Sequence, residues 1–217
     1  NGKLLYHAIN QFKNDEEMVL AAVNQNGFAL SYASEQMRNN RRVAKAAVRN
    51  DPEAIQYISN PLTADVEIAY LAVTRDGNVL NYVHPDLYGS DRELTVAAVK
   101  SATQKQGRPR ALCHSPFKND PDIVRMAVIH NPYALECASD DIKDTNFDIV
   151  KLAVKEKAGT YEYAGPSMRA NKELALLAMK GDGMQLQFAP EELRDDVDVV
   201  LAAVREFGNA LELASPD

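Results

Sequence analysis

The sequence has no tryptophan, only two cysteines, and no apolar run of the roughly 20 residues that a membrane-spanning helix needs. Two cysteines without a CxxC pair are too few for the disulfide framework of a small secreted protein. Glycine and proline, ten each, are too sparse for a collagen-like or low-complexity chain. We therefore expect a compact domain with no membrane span.

Basic residues are also fewer than acidic ones. Lysine and arginine total 24 against 31 aspartates and glutamates, so the formal charge is −7. No global positive field exists to attract DNA, RNA or an anionic membrane. We expect no nucleic-acid partner.

An Ala-Val pair, or Ala-Met in one copy, recurs along the whole chain and defines repeats one to eight. Its members are Ala22-Val23, Ala47-Val48, Ala72-Val73, Ala98-Val99, Ala127-Val128, Ala153-Val154, Ala178-Met179 and Ala203-Val204. Successive copies are 25, 25, 26, 29, 26, 25 and 25 residues apart. A near-constant period of this length is typical of repeat proteins built from small helical units.

The first half of each repeat predicts an amphipathic helix. Eight residues before the Val or Met stand Asp15, Asn40, Asp65, Asp91, Asp120, Asn146, Asn171 and Asp196. Such side chains accept hydrogen bonds from the free N–H groups of a first helical turn. Apolar residues then follow with helical spacing, as in Ile149, Val150, Ala153 and Val154. The invariant alanine predicts close approach of a neighbouring helix.

The second half predicts a turn and a short second helix. Glycine or proline four residues after the Val or Met, as at Gly27 and Pro52, indicates a helix end, with glycine in the left-handed conformation. An apolar residue such as Leu30 then recurs seven residues after the Val, and Met37 lies a further seven along. Between them runs a mostly aromatic column, which we interpret as core: Tyr32, Tyr57, Tyr82, His114, Cys137, Tyr163, Phe188 and Leu213.

These units predict an all-α fold, an α-solenoid of about eight helix-turn-helix repeats, because a single pair of short helices cannot bury its apolar faces alone. We expect one domain over residues 1–217, with a partial repeat at 1–13, full repeats from about residue 14, and an insertion at 104–110. We also expect the chain to be a piece of a longer protein.

The segment from Asp15 to Ser34, DEEMVLAAVNQNGFALSYAS, resembles a bacterial and protist repeat family known only as a domain of unknown function. The resemblance spans nearly the whole chain and is weakest in repeat four. It implies an interaction module of the kind found in large proteins and effectors of intracellular bacteria. It therefore implies a cytoplasmic location, or secretion into a host cell. The family supplies no catalytic residues.

Residue types that could serve in catalysis or metal binding are scattered along the sequence. The sequence has no GxSxG, GxxxxGK[ST], HExxH or GxGxxG motif, so we predict no catalytic, cofactor-binding or metal-binding residue and no small-molecule substrate. Acid pairs such as Asp140-Asp141 fit helix capping better than catalysis. Cys113, His114 and Cys137, with the more distant His130, leave zinc open as an alternative. A buried thiol and imidazole in the aromatic column is the interpretation we favour.

Two groups of cations are candidate partner-binding residues. Lys105, Arg108 and Arg110 lie in the expanded turn of repeat four, and insertions in solenoids often form binding loops. Lys151 and Lys155 belong to a broken cationic stripe on the long helices. The competing interpretations are a solvated loop and cations favoured by the helix dipole.

Three functions remain open from the sequence. The first is a protein-interaction or scaffold module, in an effector acting on a host protein. The second is an enzyme or regulatory fragment with a groove site built from several repeats. The third is a mechanical spacer between flanking domains. The stacked-repeat architecture, which presents an extended surface, favours the first.

The alanine column gives a direct test of the packing. Ala127→Leu is expected to lower the free energy of unfolding by roughly 1–3 kcal/mol, because a larger side chain would hold two helices apart. Urea unfolding measures this change. A near-neutral result would contradict the close helix contact.

Overall fold

The computed structural model describes residue 6, residues 9–102 and residues 110–215. This part of the chain forms helices and turns with no strand. None of its helices has the length and apolarity that a membrane span requires. The chain divides into two compact units, Asn1–Phe117 and Lys118–Asp217. Each is built of stacked helical repeats, so the predicted all-α repeat solenoid is confirmed.

Each repeat begins with a long α-helix. Over the described residues these are α1 (Glu16–Gln25), α2 (Arg41–Asn50), α3 (Val66–Val73), α4 (Arg92–Ser101), α5 (Pro121–His130), α6 (Phe147–Glu156), α7 (Lys172–Gly181) and α8 (Val197–Glu206). In every one the predicted Asp or Asn precedes the helix, and its side chain accepts a backbone N–H from the first turn. The capping prediction is confirmed.

The second half of the repeat differs from the prediction of one short helix. It contains a six-residue 3₁₀ segment followed by a separate short α-helix. The 3₁₀ segments are Gly27–Tyr32, Pro52–Tyr57, Gly77–Tyr82, Pro132–Cys137, Ala158–Tyr163, Gly183–Phe188 and Gly208–Leu213. The short helices are Asn10–Lys13, Glu35–Arg38, Asn60–Thr63, Pro85–Ser90, Asp140–Thr145, Pro166–Arg169 and Glu191–Arg194.

Side-chain caps explain why these two elements are separate. Asn26 accepts the N–H of Phe28 and starts the first 3₁₀ segment, and Ser34 accepts the N–H of Met37 and starts the next short helix. Ala33 between them is extended. In repeat four the helix Arg110–His114 packs against α4 and the 3₁₀ segment Gly77–Tyr82, the place that a 3₁₀ segment has elsewhere.

The length of the short helix accounts for the difference between periods of 25 and 26 residues. Where successive repeats are 25 residues apart, the short helix has four residues. Where they are 26 apart, at Pro85–Ser90 and Asp140–Thr145, it has six. The long helices and 3₁₀ segments stay in register because the short helix absorbs the extra residue.

The core lies between successive long helices and 3₁₀ segments of the same unit. α1 packs on α2, α2 on α3 and α3 on α4, and α5 to α8 pack in the same order in the second unit. Most of the predicted apolar positions are buried, as in Val43, Ala47, Val48 and Ile55, whereas Met18 and Leu211 are exposed. Burying these side chains is the main favourable contribution to folding.

Glycine serves close packing and not the left-handed turn that we predicted. None of the described glycines has a positive φ, so that prediction is wrong. A Cβ atom added at Gly27 would lie 2.7 Å from the carbonyl oxygen of Ala47 in the next repeat. The same added atom at Gly77 would collide with the Ala98 carbonyl. The recurring glycine and the recurring alanine are therefore two sides of one contact.

A backbone hydrogen bond repeats between neighbouring short helices. A residue that precedes a short helix, or its equivalent in another repeat, donates its N–H to a carbonyl near the end of the preceding short helix or its equivalent. These bonds run from Ser34 to Lys13, Ser59 to Arg38, His84 to Thr63, Ser139 to Lys118, Gly165 to Lys143 and Ser215 to Arg194. Pro190 occupies this position after Pro166–Arg169 and has no N–H to donate. The Tyr161 hydroxyl donates to the Arg169 carbonyl instead.

Tyr161 is the one aromatic residue in a column that is otherwise leucine or isoleucine. Its side chain is fully buried, and burial raises the pKa of the phenol to about 12. The hydroxyl therefore stays protonated and able to donate at neutral pH. We interpret Tyr161 and Pro190 as a compensating pair, because the tyrosine supplies the donor that the proline lacks.

Gly77→Ala is expected to destabilise the protein by about 2–3 kcal/mol, because the added methyl group collides with the Ala98 carbonyl. Gly89→Ala is the matched control, since a Cβ atom there meets nothing within 4 Å. The control should be neutral or stabilising by up to about 1 kcal/mol, as expected for alanine in a helix. Chemical unfolding measures both variants, and equal effects would contradict the contact.

Tyr161→Phe is expected to cost about 1–3 kcal/mol, because it leaves the Arg169 carbonyl without its donor. Adding Pro190→Ser should recover much of the loss, since the new N–H can make the bond seen at Ser215. A double-mutant cycle of unfolding free energies measures the coupling. Purely additive effects of the two substitutions would show that they do not compensate for each other.

Candidate interaction surface

The structure describes the side chains of only two of the cations predicted to bind a partner, Lys151 and Lys155. Lys105 and Arg108 lie outside the described residues, and Arg110 begins the helix Arg110–His114. Lys151 donates to Glu173 at 2.6 Å, with its Nζ atom 5.3 Å from the centroid of the Phe147 ring. Lys155 is exposed. Their role in binding a partner stays a prediction.

Ion pairs join neighbouring long helices. The Arg41 guanidinium contacts the carboxylates of Asp65 and Glu67 at 2.6 and 2.7 Å. Hydrogen bonding from Arg41 lowers the pKa of Asp65. Asp65 and Glu67 lie at the start of α3, where the helix dipole favours acidic side chains. They also form ion pairs with a cation of the preceding repeat.

The second unit has the same arrangement. Lys172 contacts Asp196 and Asp198 at 2.7 and 2.9 Å, and its hydrogen bond lowers the pKa of Asp196. Exposed ion pairs of this kind stabilise only slightly. They nevertheless engage several of the cations on the long helices within the protein itself.

The cysteine and histidine residues do not form the buried pair that we favoured. Cys113 and Cys137 are half-buried and neither is a free thiol, whereas His114 is exposed. The expectation of a buried thiol and imidazole is wrong because this column borders the surface. Among the described residues, no group of three or more histidine, cysteine, aspartate or glutamate side chains is placed to hold a metal ion.

The aromatic column lies at the surface, so its assignment to the core is wrong. Tyr32 is 36% exposed, and the other aromatic members are half-buried. The reason is the 3₁₀ geometry, in which two residues advance the chain by about two thirds of a turn. The leucine points inward, and the aromatic residue two positions later points elsewhere. We use the term aromatic edge for these residues within each unit, which are Tyr32, Tyr57 and Tyr82 in the first and Tyr163 and Phe188 in the second.

Ring contacts order the aromatic edge in the first unit. Phe28 meets Tyr57 edge-to-face, with ring centroids 5.6 Å apart, and Tyr6 meets Tyr32 at 5.2 Å. Burial raises the pKa of Tyr57, and the neighbouring Tyr32 and Glu53 raise it further. The rings are therefore held in place, with acidic groups beside them.

The second unit repeats this arrangement at Tyr163. Its ring meets that of Tyr133 edge-to-face at 6.4 Å. Burial raises the pKa of Tyr163 to about 12, and a hydrogen bond with Glu162 and the charge of Glu136 act in the same direction. Tyr133 is 37% exposed. A pair of rings thus lies at the surface beside two carboxylates.

A cavity of about 570 Å³ opens next to Tyr163. One side is the short helix Asp140–Thr145 and the other is the chain from Glu162 to Pro166. Four carboxylates and one ammonium line it: Asp140, Asp141, Asp144, Glu162 and Lys143. The cavity therefore has a negative lining with an aromatic wall.

Sequence reasoning missed this surface, although a signal was present. The residue before the aromatic position is polar in most repeats, as at Gln56, Asn81, Glu136, Glu162 and Gln187. Neighbouring polar and aromatic residues at one point of every repeat indicate a boundary between core and solvent. The aromatic position considered without the polar residue before it does not show this boundary.

Comparisons with known proteins give one match. The family described as "Domain of unknown function (DUF4116)" matches residues 1–38, 40–88, 91–143 and 171–217. No curated protein and no solved structure matches the chain.

Proposed function

We propose that this chain, which belongs to the DUF4116 family of domains of unknown function, is a protein-interaction module that binds its partner at the aromatic edge. The observation that carries the proposal is that aromatic residues recur at one repeat position and remain accessible to solvent. The core is complete without their exposed faces, because the leucine column and the long helices fill it.

The physical properties of the edge suit binding. Tyrosine anchors protein interfaces because it combines a large apolar area with a polar group and few rotatable bonds. The ring contacts at Tyr32, Tyr57 and Tyr163 restrict these side chains before a partner arrives. Less conformational entropy is then lost on association.

Charge defines the kind of partner. Glu53 lies beside Tyr57, Glu136 and Glu162 lie beside Tyr163, and the chain carries a net charge of −7. Cations are attracted both to carboxylates and to the faces of aromatic rings. We therefore propose that the partner presents a segment in which lysine or arginine alternates with apolar residues.

The resemblance to repeats in large proteins of intracellular bacteria extends this proposal. We propose that the module acts in an effector and that its partner is a host-cell protein. The module would then work in the cytoplasm or after secretion into a host cell.

The test is affinity capture from a eukaryotic cell lysate with three forms of the protein. The edge variant carries Tyr32→Ala and Tyr163→Ala, and the comparison variant carries Lys105→Glu, Arg108→Glu and Arg110→Glu. We expect a discrete partner to bind the unaltered protein and the comparison variant, and its affinity for the edge variant to fall at least about tenfold. Thermal unfolding of each form checks that the fold is intact.

The other outcomes decide between the alternatives. A partner lost only in the comparison variant would move the binding surface to the cationic turn of repeat four. A partner retained by both variants would move it to another face. The absence of any partner would favour the mechanical spacer.

A further inference from the structure

The cavity beside Tyr163 exists because one repeat departs from the common pattern. Its short helix, Asp140–Thr145, has six residues, and Gly165 stands where four other repeats have serine. A Cβ atom added at Gly165 would lie 2.5 Å from the Cβ atom of Asp144. Only glycine lets the two segments approach so closely, and this contact joins the two walls of the cavity.

Asp144 has a structural task at this junction. Its carboxylate accepts the backbone N–H of Ser167 at 2.6 Å and the Ser167 hydroxyl at 2.9 Å. It therefore caps the helix Pro166–Arg169 in place of the missing serine. This leaves Asp140, Asp141 and Glu162 as the carboxylates of the lining that are placed for a ligand.

The cation within the lining does not neutralise these groups. Lys143 lies 3.8 Å from Asp140, a long contact, and the Asp140 side chain is fully exposed. Asp141 is also exposed, and Glu162 is half-buried next to the Tyr163 ring. The cavity thus combines uncompensated negative charge with the tyrosine that forms its aromatic wall.

We infer that this cavity binds the arginine side chain of a partner segment, with the guanidinium between Asp141 and Glu162 and its plane against the Tyr163 ring. The inference rests on the proposed function and specifies the partner at one point of the aromatic edge. A guanidinium is planar, makes paired hydrogen bonds to carboxylates and stacks on aromatic rings. A lysine ammonium fits less well because it is a compact, strongly hydrated point charge.

The probe is N-acetyl-arginine methylamide, followed by ¹⁵N NMR titration of the whole chain. N-acetyl-citrulline methylamide is the matched control, since it has nearly the same shape without the charge. We expect saturable shifts at the Tyr163 and Gly165 amides with arginine, and at least tenfold weaker binding of citrulline. Raising the salt concentration should weaken arginine binding.

Variants locate the site. The double substitution Asp141→Asn and Glu162→Gln should weaken arginine binding at least tenfold. The control variant carries Glu191→Gln and Glu192→Gln, which remove the same number of charges from two exposed acids of the short helix Glu191–Arg194, outside the cavity. It should change the affinity less than twofold. Thermal unfolding confirms that all forms remain folded.

Several results would overturn the inference. These are equal binding of arginine and citrulline, shifts confined to other residues, or unchanged affinity in the double variant. If a captured partner depends on the aromatic edge but arginine does not bind, the inference fails and the proposed function stands. If arginine binds but no partner depends on the edge, the proposed function fails and the cavity remains an arginine site.

Discussion

The close contact between the start of a 3₁₀ segment and the next long helix sets the spacing on which the rest of each unit depends. Gly27 meets the Ala47 carbonyl, and Gly77 meets that of Ala98. The carbonyl can approach this closely because glycine has no side chain in the way. Dense packing of the surrounding valines and leucines follows from that spacing.

The repeats divide structural and exposed roles between different positions. Charged residues at the start of the long helices join neighbours, as Arg41 joins Asp65 and Lys172 joins Asp196. Aromatic residues at the end of the 3₁₀ segments remain accessible. Charge in this protein therefore serves partly to hold repeats together, and the aromatic edge is the better candidate for contact with a partner.

Departures from the repeat are where specific features arise. Pro190 removes a backbone donor, and Tyr161 supplies a hydroxyl at the same carbonyl. Gly165 replaces a capping serine, and Asp144 supplies the cap from the preceding repeat. In the second case the rearrangement also produces a cavity with carboxylates and a tyrosine. Substitutions that break the repeat pattern, together with the residues that replace the lost hydrogen bonds, thus give single repeats features that the others do not have.

Much of the fold could be predicted from the period and the helix caps. The Asp or Asn before each long helix is a local signal, because its side chain bonds to N–H groups only two or three residues away. The alanine column was also predictable, since no larger residue occurs there in eight copies. The candidate surface was not, because whether Tyr57 is buried depends on which side of its 3₁₀ segment the neighbouring repeats cover.

The sequence by itself determined the repeat, the long helices and their buried faces, because these depend on local hydrogen bonds and on a 3.6-residue period that ten-residue helices display clearly. Only the tertiary structure decided that Leu30 is buried and Tyr32 is exposed, since this depends on which side of the six-residue 3₁₀ segment the neighbouring elements cover. It also decided why glycine is required, because the Ala47 carbonyl that excludes a side chain at Gly27 lies in the next repeat.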